Sequence, residues 1–448
     1  MKKRFLPFAL IACLAATALP LTACTDTQEE NVLRIASWDE YIDEGGADSY
    51  VEGSRALYEE FEDWYFEQTG KRITVDYVPL QDNETMYNKI KMGDRYDLLC
   101  PSEYMIMKLA AEDMIQKLPS SFFDPSLDNN YYVRNVSDYI QKEVFERTEM
   151  TDGSKLSEYT AGYMWGSTGF VYNPEKISAD EVKRWSVLTN EAYVRKITAK
   201  DNVRDSYFAG LGMYYEAELL ALKTRLNDGA ITLESYKKQL SEKMNDSSVG
   251  TMSEVQKLLE KMRGNLYGLE TDEGKLDIVT GRFDVSYQWS GDAVYTLDMG
   301  EDDEITDEPL ALEYCIPEAA SNLWFDGWVL MKDANVDAAT AFINFLSIPE
   351  NVVRNMYYIG YTSCIAGDEV FSYVEETYGA DETEEAPVSY DLSYFFGDGH
   401  QLLTSEDQTR RQLFAQYPTR DTIDRLVVMK PFDRETNERA NRMWNTIK

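Results

Sequence analysis

The sequence is poor in the side chains on which most enzyme active sites depend. It contains a single histidine, His400, which lies in the glycine-rich stretch FGDGH. A catalytic triad or a histidine-containing metal site would therefore rest on one residue in a predicted surface loop. The sequence also lacks a glycine-rich phosphate loop of the Walker or Rossmann type. These absences argue against an enzyme, and we expect neither a cofactor nor a metal ion.

Cysteine is scarce and widely spaced. Cys13 and Cys24 lie near the amino terminus, and Cys100, Cys315 and Cys364 are dispersed along the rest of the chain. Three dispersed cysteines provide neither a disulfide framework nor the spacing of a zinc site.

Basic residues are few relative to acidic ones, with 44 Lys and Arg against 80 Asp and Glu and a net charge of −36. This balance excludes nucleic acid as the main partner, because phosphate contacts need clustered Lys and Arg. It would steer a cationic ligand toward the protein, although acidic surfaces also serve solubility alone. With 448 residues and 44% hydrophobic content, the chain is long enough for two or three packed domains.

The amino terminus has the layout of an export signal. Lys2, Lys3 and Arg4 precede an apolar run from Phe5 to Leu21, which is short for a membrane span. The segment Leu21-Thr22-Ala23-Cys24 looks like a lipobox, in which the cysteine becomes the lipidated first residue of the mature protein. We therefore expect an exported protein, held by lipid at Cys24 on the outer face of the cytoplasmic membrane.

Strands and helices are predicted to alternate at the start of the mature chain. The strands are predicted at Val32–Ser37, Arg72–Leu80 and Tyr96–Cys100. The helices are predicted at Ser54–Thr69, Glu84–Lys91 and Glu103–Lys117. In the first helix, Ser54 is a possible cap and Gly70 the stop. Such a series predicts a parallel sheet, in which ligands bind beyond the carboxyl ends of the strands. Two of these ends carry the turns Trp38–Tyr41 and Pro101–Tyr104.

The stretch Ser321–Lys332 combines an indole with a carboxylate. Trp324 and Asp326 are two residues apart in a predicted buried strand, so their side chains share a face. A carboxylate buried beside aromatic rings is costly unless a cation pairs with it, and an ammonium over a desolvated indole gains roughly 2 kcal/mol. The pair suits a pocket for an organic amine. The alternative is a strand end with a core tryptophan and an exposed aspartate.

A collinear series of short motifs runs along the chain. The motifs are Trp38–Tyr41, Asn83–Tyr87, Tyr96–Tyr104, Met114–Leu118, Met164–Gly169, Val285–Ala293, Trp324–Asp326, Phe342–Leu346 with Pro349, and Ile359–Thr362. Together, in this order, they resemble the spermidine/putrescine-binding proteins that serve polyamine ABC transporters. The resemblance extends from about residue 32 to 366 and again over the last thirty residues.

The resemblance implies an α/β, two-lobed periplasmic-binding-protein-like fold of type II. Each lobe would be a sheet covered by helices, with the ligand cleft between the lobes. The implied organisation is a signal peptide over residues 1–23, a lipidated tether over 24–31, lobe 1 over 32–165 and 323–372, and lobe 2 over 166–322 and 373–448. The implied function is capture of spermidine or putrescine and its delivery to the membrane permease of an ABC transporter, by a monomer.

Carried over position by position, the resemblance also implies a set of ligand-binding residues. The aromatic side chains would line the aliphatic chain of the ligand, and the carboxylates would pair with its ammonium groups. The implied set is Trp38, Glu40, Tyr41, Ser102, Tyr104, Asp205, Trp289, Asp292, Trp324, Asp326 and Tyr361.

The sequence departs from the family pattern at two positions. Asn202 stands where some members carry an acid, and Met429 stands where a glutamine is expected. Asp292 looks like the extra acid of putrescine-type members, so the number of carboxylates is preserved while their positions differ. The preferred ligand length therefore stays open.

Several residues have a structural alternative. Trp289 ends an alternating strand and is compatible with a core position. Tyr41 and Tyr361 are compatible with ordinary positions at the rim of a cleft. Asp292 is compatible with a cap of the helix that follows it.

Other functions remain open from the residues alone. A binding protein for a sugar or an iron species could share the architecture, and a secreted glycosidase could use aromatic rings with paired carboxylates, although no acid pair at a defined separation is identifiable. Three segments longer than the family core, Pro119–Tyr159, Ala217–Asp246 and Asp368–Gln408, are interpreted as surface elaborations.

Overall fold

The computed structural model describes residues 31–150, 152–270, 277–301, 309–381 and 386–448. The predicted signal peptide, Cys24 and tether residues 24–30 lie outside the described residues, as do residues 382–385 within the predicted elaboration Asp368–Gln408. Within the described ranges, no helix is both long enough and apolar enough to cross a bilayer.

The strands differ widely in length, and the longest two, β5 and β10, are buried almost throughout. They are β1 (Val32–Trp38), β2 (Thr74–Leu80), β3 (Leu98–Leu99), β4 (Ile115–Gln116), β5 (Thr160–Tyr172), β6 (Ile197–Lys200), β7 (Gly268–Glu270), β8 (Val285–Trp289), β9 (Glu313–Cys315), β10 (Ser321–Met331), β11 (Thr362–Ser363), β12 (Val388–Asp391), β13 (Gln401–Thr404) and β14 (Leu426–Val427).

The helices cover the sheet and fill the connections between strands. They are α1 (Leu57–Thr69), α2 (Asn83–Met92), α3 (Glu103–Ala111), α4 (Tyr131–Asn135), α5 (Ala179–Val182), α6 (Val203–Asn227), α7 (Leu233–Met244), α8 (Val249–Asn265), α9 (Ser290–Glu301), α10 (Val336–Leu346), α11 (Pro349–Ile359), α12 (Asp368–Tyr378), α13 (Ser393–Phe396), α14 (Gln412–Gln416), α15 (Arg420–Ile423) and α16 (Arg434–Ile447).

The first three strands form the predicted parallel arrangement, because β1 pairs in parallel with both β2 and β3. Helices alternate with these strands: α2 and α3 begin within a few residues of the ends of β2 and β3, whereas a longer connection separates β1 from α1. The predicted stop of α1 is confirmed: Gly70 adopts the left-handed conformation (φ 70°) and its N–H donates to the carbonyl of Phe66.

Two local predictions are wrong. Ser54 does not cap α1, which begins at Leu57; its hydroxyl instead accepts a hydrogen bond from Arg354 at 3.0 Å. The third helix ends at Ala111 rather than Lys117, because the chain turns at Asp113 (φ 57°) and the following residues form β4, which pairs with β10. Pairing with a distant strand here overrides local helical preference.

Strands β5 and β10 connect the two halves of the sheet. The amino-terminal part of β5 pairs antiparallel with β10, and its carboxyl-terminal part, from Thr168 to Tyr172, pairs with β8. The resulting strand order is β2-β1-β3-β10-β5-β8-β6-β7. The carboxyl ends of β1 and β3 on one side, and of β6 and β8 on the other, therefore approach a common opening beside the crossing strands.

The segment between residues 119 and 159, interpreted from sequence as a surface elaboration, contributes to the core. Tyr132 is fully buried and its hydroxyl accepts the N–H of Gly162 at 2.8 Å. Phe145 packs against Phe325 of β10, with ring centroids 4.7 Å apart. Acidic and polar residues dominate the sequence of this segment and conceal the few aromatic residues that anchor it.

Candidate functional site

A cleft of about 640 Å³ lies where these strand ends meet, within the size range of small-molecule sites. All eleven residues that the resemblance implies for ligand binding line it: Trp38, Glu40, Tyr41, Ser102, Tyr104, Asp205, Trp289, Asp292, Trp324, Asp326 and Tyr361. Asn202 and Met429 line it as well. The structure thus brings together residues that are up to 323 positions apart in the sequence, from Trp38 to Tyr361.

Asp326 lies in the wall of the cleft as a buried acceptor. Its Oδ2 accepts hydrogen bonds from the indole N–H of Trp38 (3.0 Å) and the hydroxyl of Tyr41 (2.7 Å). Burial raises the pKa of Asp326, and hydrogen bonds from Ser102, Tyr41 and Trp38 oppose that rise. The alternative of an exposed aspartate at a strand end is wrong, because this residue is 5% exposed.

Aromatic rings form the wall beside Asp326. Trp324 donates its indole N–H to the carbonyl of Ser167 at 3.0 Å, and its ring lies 5.4 Å from that of Tyr361. Tyr361 in turn meets the ring of Tyr41 edge to face at 5.8 Å. The close approach of these rings requires glycine nearby: a Cβ on Gly291 would lie 1.9 Å from the Tyr361 ring.

The opposite wall begins at α6. The side chain of Asn202 caps this helix by accepting the N–H groups of Arg204 (2.7 Å) and Asp205 (3.2 Å), which places Asp205 in the first turn. Burial raises the pKa of Asp205 to about 6, and Lys200, Trp289 and Arg204 oppose the rise. Trp289 is half-buried rather than a core residue, and its indole N–H lies 3.4 Å from Asp205 Oδ1.

Asp292 makes an internal ion pair. It lies in the first turn of α9, where Lys200 Nζ is 2.6 Å from its Oδ2 and the Tyr361 hydroxyl is 3.0 Å from its Oδ1. The helix cap considered from sequence does not describe this residue, because α9 already begins at Ser290 and the Asp292 side chain bonds to Lys200 of β6 and to Tyr361, which follows α11.

Glu40 lies at the exposed mouth of the cleft. Its φ of 50° is in the left-handed region, which costs a non-glycine residue about 1–3 kcal/mol. Such strain is typical of functional sites.

Sequence reasoning missed four acids of the cleft, Asp39, Asp82, Glu84 and Glu103, of which the last two are the most withdrawn from solvent. Glu103 begins α3 and is 2% exposed; burial raises its pKa well above the ordinary value, and nearby Asp326 adds to the rise. Glu84, in the first turn of α2, accepts the Tyr104 hydroxyl at 3.3 Å, and burial raises its pKa. Acids in a first helical turn are common and normally exposed, so their burial gives no sequence signal.

Two resident cations were also missed. Lys200 lies behind Trp289, with Nζ 4.0 Å from the ring centroid. Arg204 is buried, with its guanidinium 3.7 Å from the Phe432 ring centroid and 4.7 Å from that of Tyr104. Arg204 is the neighbour of Asp205, a residue of the implied ligand-binding set, and this adjacency was the available sequence signal.

Carboxylates outnumber basic residues in the lining of the cleft, to which Arg204 belongs and Lys200 does not. The acids of the lining are Asp39, Glu40, Asp82, Glu84, Glu103, Asp205, Asp292 and Asp326. Acids and flat rings in one partly desolvated space favour an organic cation, whose charge pairs with the acids while its aliphatic part packs on the rings.

The single histidine of the sequence lies away from the cleft. His400 hydrogen-bonds the carbonyl of Gly397 and contacts the Phe371 ring, and it is not part of the cleft. Within the part of the chain that the structure describes, no three His, Cys, Asp or Glu residues form a cluster suited to a metal ion.

Curated relatives are similar over most of the chain. The spermidine/putrescine-binding periplasmic protein of Salmonella typhimurium is 24% identical over 356 residues, covering 78% of this chain and 82% of the relative. The putrescine-binding periplasmic protein SpuD of Pseudomonas aeruginosa is 23% identical over 358 residues, with the same coverage.

Solved structures show the same fold. The spermidine/putrescine ABC transporter substrate-binding protein PotD of Streptococcus pneumoniae has a TM-score of 0.59 at 24% identity, covering 93% of this chain and 98% of its own. The TpPotD lipoprotein of Treponema pallidum has a TM-score of 0.60 at 18% identity, covering 93% and 99%. The two-lobed α/β fold expected from the sequence is thereby confirmed.

The family itself is identified by a sequence profile described as "Bacterial extracellular solute-binding protein", which matches residues 56–367, more than half of the chain. Proteins of this family bind solutes for transport, which agrees with the expectation that this protein is not an enzyme. The chain therefore belongs to the bacterial extracellular solute-binding protein family.

Proposed function

We propose that this protein captures a polyamine, spermidine or putrescine, outside the cytoplasmic membrane and delivers it to the permease of an ABC transporter. The observation that carries the proposal is the surroundings of Asp326, where a buried carboxylate lies among Trp38, Tyr41 and Trp324 in an acid-rich cleft. The names of the relatives support the same ligand class.

The proposed ligand lies across the cleft. One ammonium pairs with Asp326 and a second with Asp205, and the methylene chain packs on Trp289, Trp324 and Tyr361. Glu40, Tyr104 and Ser102 complete the proposed contacts. Asp292 belongs to the same proposed site, and Lys200 pairs with its charge.

Capture is coupled to closure in this proposal. Residues from both sides of the crossing strands β5 and β10 contact the ligand, so the ligand binds the closed form better and shifts the population toward it. Micromolar binding requires about −8 kcal/mol. Charge-assisted hydrogen bonds at about 1.5–3 kcal/mol each, together with cation–π contacts, supply this after the costs of association.

The lobe boundaries also remain part of the proposal. Lobe 1 comprises residues 32–165 and 323–372, and lobe 2 comprises 166–322 and 373–448. A single ligand site between the two lobes requires no second copy of the chain, so we propose a monomer.

Anchoring through Cys24 is the second part of the proposal. The lipobox-like segment after the apolar run supports removal of residues 1–23 and lipidation of Cys24, with residues 24–31 as a tether at the outer face of the membrane. Cys24→Ala should move the protein from the membrane fraction to the soluble exported fraction. If the variant stays with the membrane, the lipid anchor is refuted.

A thermal-shift titration tests the ligand class. We expect diamines and triamines to raise the unfolding midpoint in a manner that depends on their length, because a ligand that binds the native state stabilises it by mass action. Glucose, maltose and ferric citrate serve as the comparison panel. A rise with a sugar or with the iron complex and none with any amine would refute the proposed ligand.

A further inference from the structure

Lys200 is a buried lysine directly behind the wall of the cleft, in contact with the lining residues Asp292 and Trp289. It is the last residue of β6, its side chain is 6% exposed, and its Nζ lies 2.6 Å from Asp292 and 4.0 Å from the centre of the Trp289 ring. A buried carboxylate beside an indole face is the pair of groups that favours an ammonium. The ammonium of Lys200 therefore makes the two contacts, with Asp292 and with the Trp289 ring, that a ligand ammonium would otherwise make.

The carboxylate of Asp292 is engaged on both oxygens. Oδ2 pairs with Lys200, and Oδ1 accepts the hydroxyl of Tyr361 at 3.0 Å. Breaking such a buried pair is costly, because each charge would then be left desolvated without a partner. A ligand ammonium that reached Asp292 would therefore lie beside the ammonium of Lys200, and the two like charges would repel.

Asp292 differs from the other acids of the cleft in the cation beside it. Eight acids line the cleft, and Arg204 is the only basic residue of the lining within the described part of the chain. The charge of Arg204 opposes the rise in pKa that burial causes at Glu84 and Glu103. Asp292 is instead paired with Lys200, whose ammonium contacts it from behind the lining. A ligand ammonium is therefore attracted less to Asp292 than to the carboxylates elsewhere in the cleft.

We propose that Lys200 determines ligand length, since its ammonium fills the subsite at Asp292 and Trp289 and makes the cleft prefer a diamine to a longer triamine. This inference rests on the proposed function. Asp326 and Asp205 supply one carboxylate for each end of a diamine. The additional ammonium of a triamine would approach Lys200, and like charges repel strongly in a site with little water.

Calorimetric titration of the full chain with putrescine and with spermidine tests the inference, with the ratio of the two dissociation constants as the readout. The unaltered protein should bind putrescine more tightly. Lys200→Met keeps the length and apolar bulk of the side chain and removes its charge. It should shift the ratio toward spermidine by about tenfold or more, because Asp292 can then pair with the additional ammonium.

Two further variants separate charge from packing. Lys200→Arg keeps a cation and should keep the preference for putrescine. The double variant K200M/D292N removes both charges of the pair and should lose most of the shift seen with K200M. A thermal unfolding midpoint verifies that each variant is folded.

The possible results separate a failure of the proposed function from a failure of the proposed role of Lys200. Absence of binding to either amine by the unaltered protein would refute the proposed function, and this inference with it. A preference of the unaltered protein for spermidine, an unchanged ratio in K200M, or an equal shift in the double variant would refute the role of Lys200 alone.

Discussion

Replacing Asp326 by asparagine should remove most of the affinity for an amine without unfolding the protein. The carboxylate is buried and accepts hydrogen bonds from Trp38 at 3.0 Å and Tyr41 at 2.7 Å. Among the described residues, the groups that hydrogen-bond to it, Trp38, Tyr41 and Ser102, are all uncharged. Removing one partner of a buried ion pair costs about 3–5 kcal/mol. The dissociation constant for putrescine or spermidine should therefore rise by about 10²–10⁴-fold.

The unliganded variant should be as stable as the unaltered protein. Burial raises the pKa of Asp326, so the folded protein bears a free-energy cost for this charge that asparagine removes. The side-chain oxygen of asparagine can still accept the Tyr41 hydroxyl. We therefore expect an unchanged or higher unfolding midpoint without ligand, together with loss of the midpoint rise on adding an amine.

Isothermal calorimetry and thermal unfolding measure both effects on the same samples. Asp97→Asn is a suitable control, because Asp97 is also buried but accepts backbone N–H groups of Arg34 and Asn335 outside the cleft. It should lower stability and leave amine affinity unchanged. Binding by Asp326→Asn within about threefold of the unaltered protein would contradict this reasoning.

Two further predictions concern ring placement and pH. Gly291→Ala should weaken amine binding by about tenfold and lower the free energy of unfolding by about 1–3 kcal/mol, because a Cβ would lie 1.9 Å from the Tyr361 ring. The control is Gly264→Ala, which should have neither effect because nothing lies within 4 Å of a Cβ at that position. Amine affinity should fall as pH drops below about 6, because Asp205 then becomes protonated. The folded protein binds this proton more tightly than the unfolded chain does, because the pKa of Asp205 is higher in the folded state. The free energy of unfolding of the unliganded protein should therefore rise as pH decreases from about 7 toward 4. The contribution of Asp205 to this rise is on the order of 3 kcal/mol. Calorimetry across that pH range, with acid unfolding of the unliganded protein, checks both signs.

Much of the cleft is predictable because its residues follow strand ends. Trp38 and Tyr41 follow β1, Ser102 and Tyr104 follow β3, and parallel strands place these turns at one edge of a sheet. Asp326 is predictable because it shares a strand face with Trp324. In these cases local pattern and fold topology agree.

The charge balance of the cleft could not be read from the sequence. Lys200 and its partner Asp292 are 92 positions apart, and a lysine at a strand end is normally exposed. Glu103 likewise has the pattern of a solvated first-turn acid, yet it is buried against β10. Burial of a charge depends on which distant segment covers it, and no local pattern records that.

The early end of α3 has a similar cause. Residues beyond Ala111 continue a helical pattern, but Ile115 and Gln116 pair with β10, more than 200 positions away. Tertiary pairing decides such boundaries.

The most direct test of the account is a crystal structure of the protein grown with putrescine. We expect one ammonium of the amine within about 3 Å of the Asp326 carboxylate, with its methylene chain against Trp324 and Tyr361 and Lys200 still paired with Asp292. An amine bound outside this cleft, or bound within it without a contact to Asp326, would contradict the account.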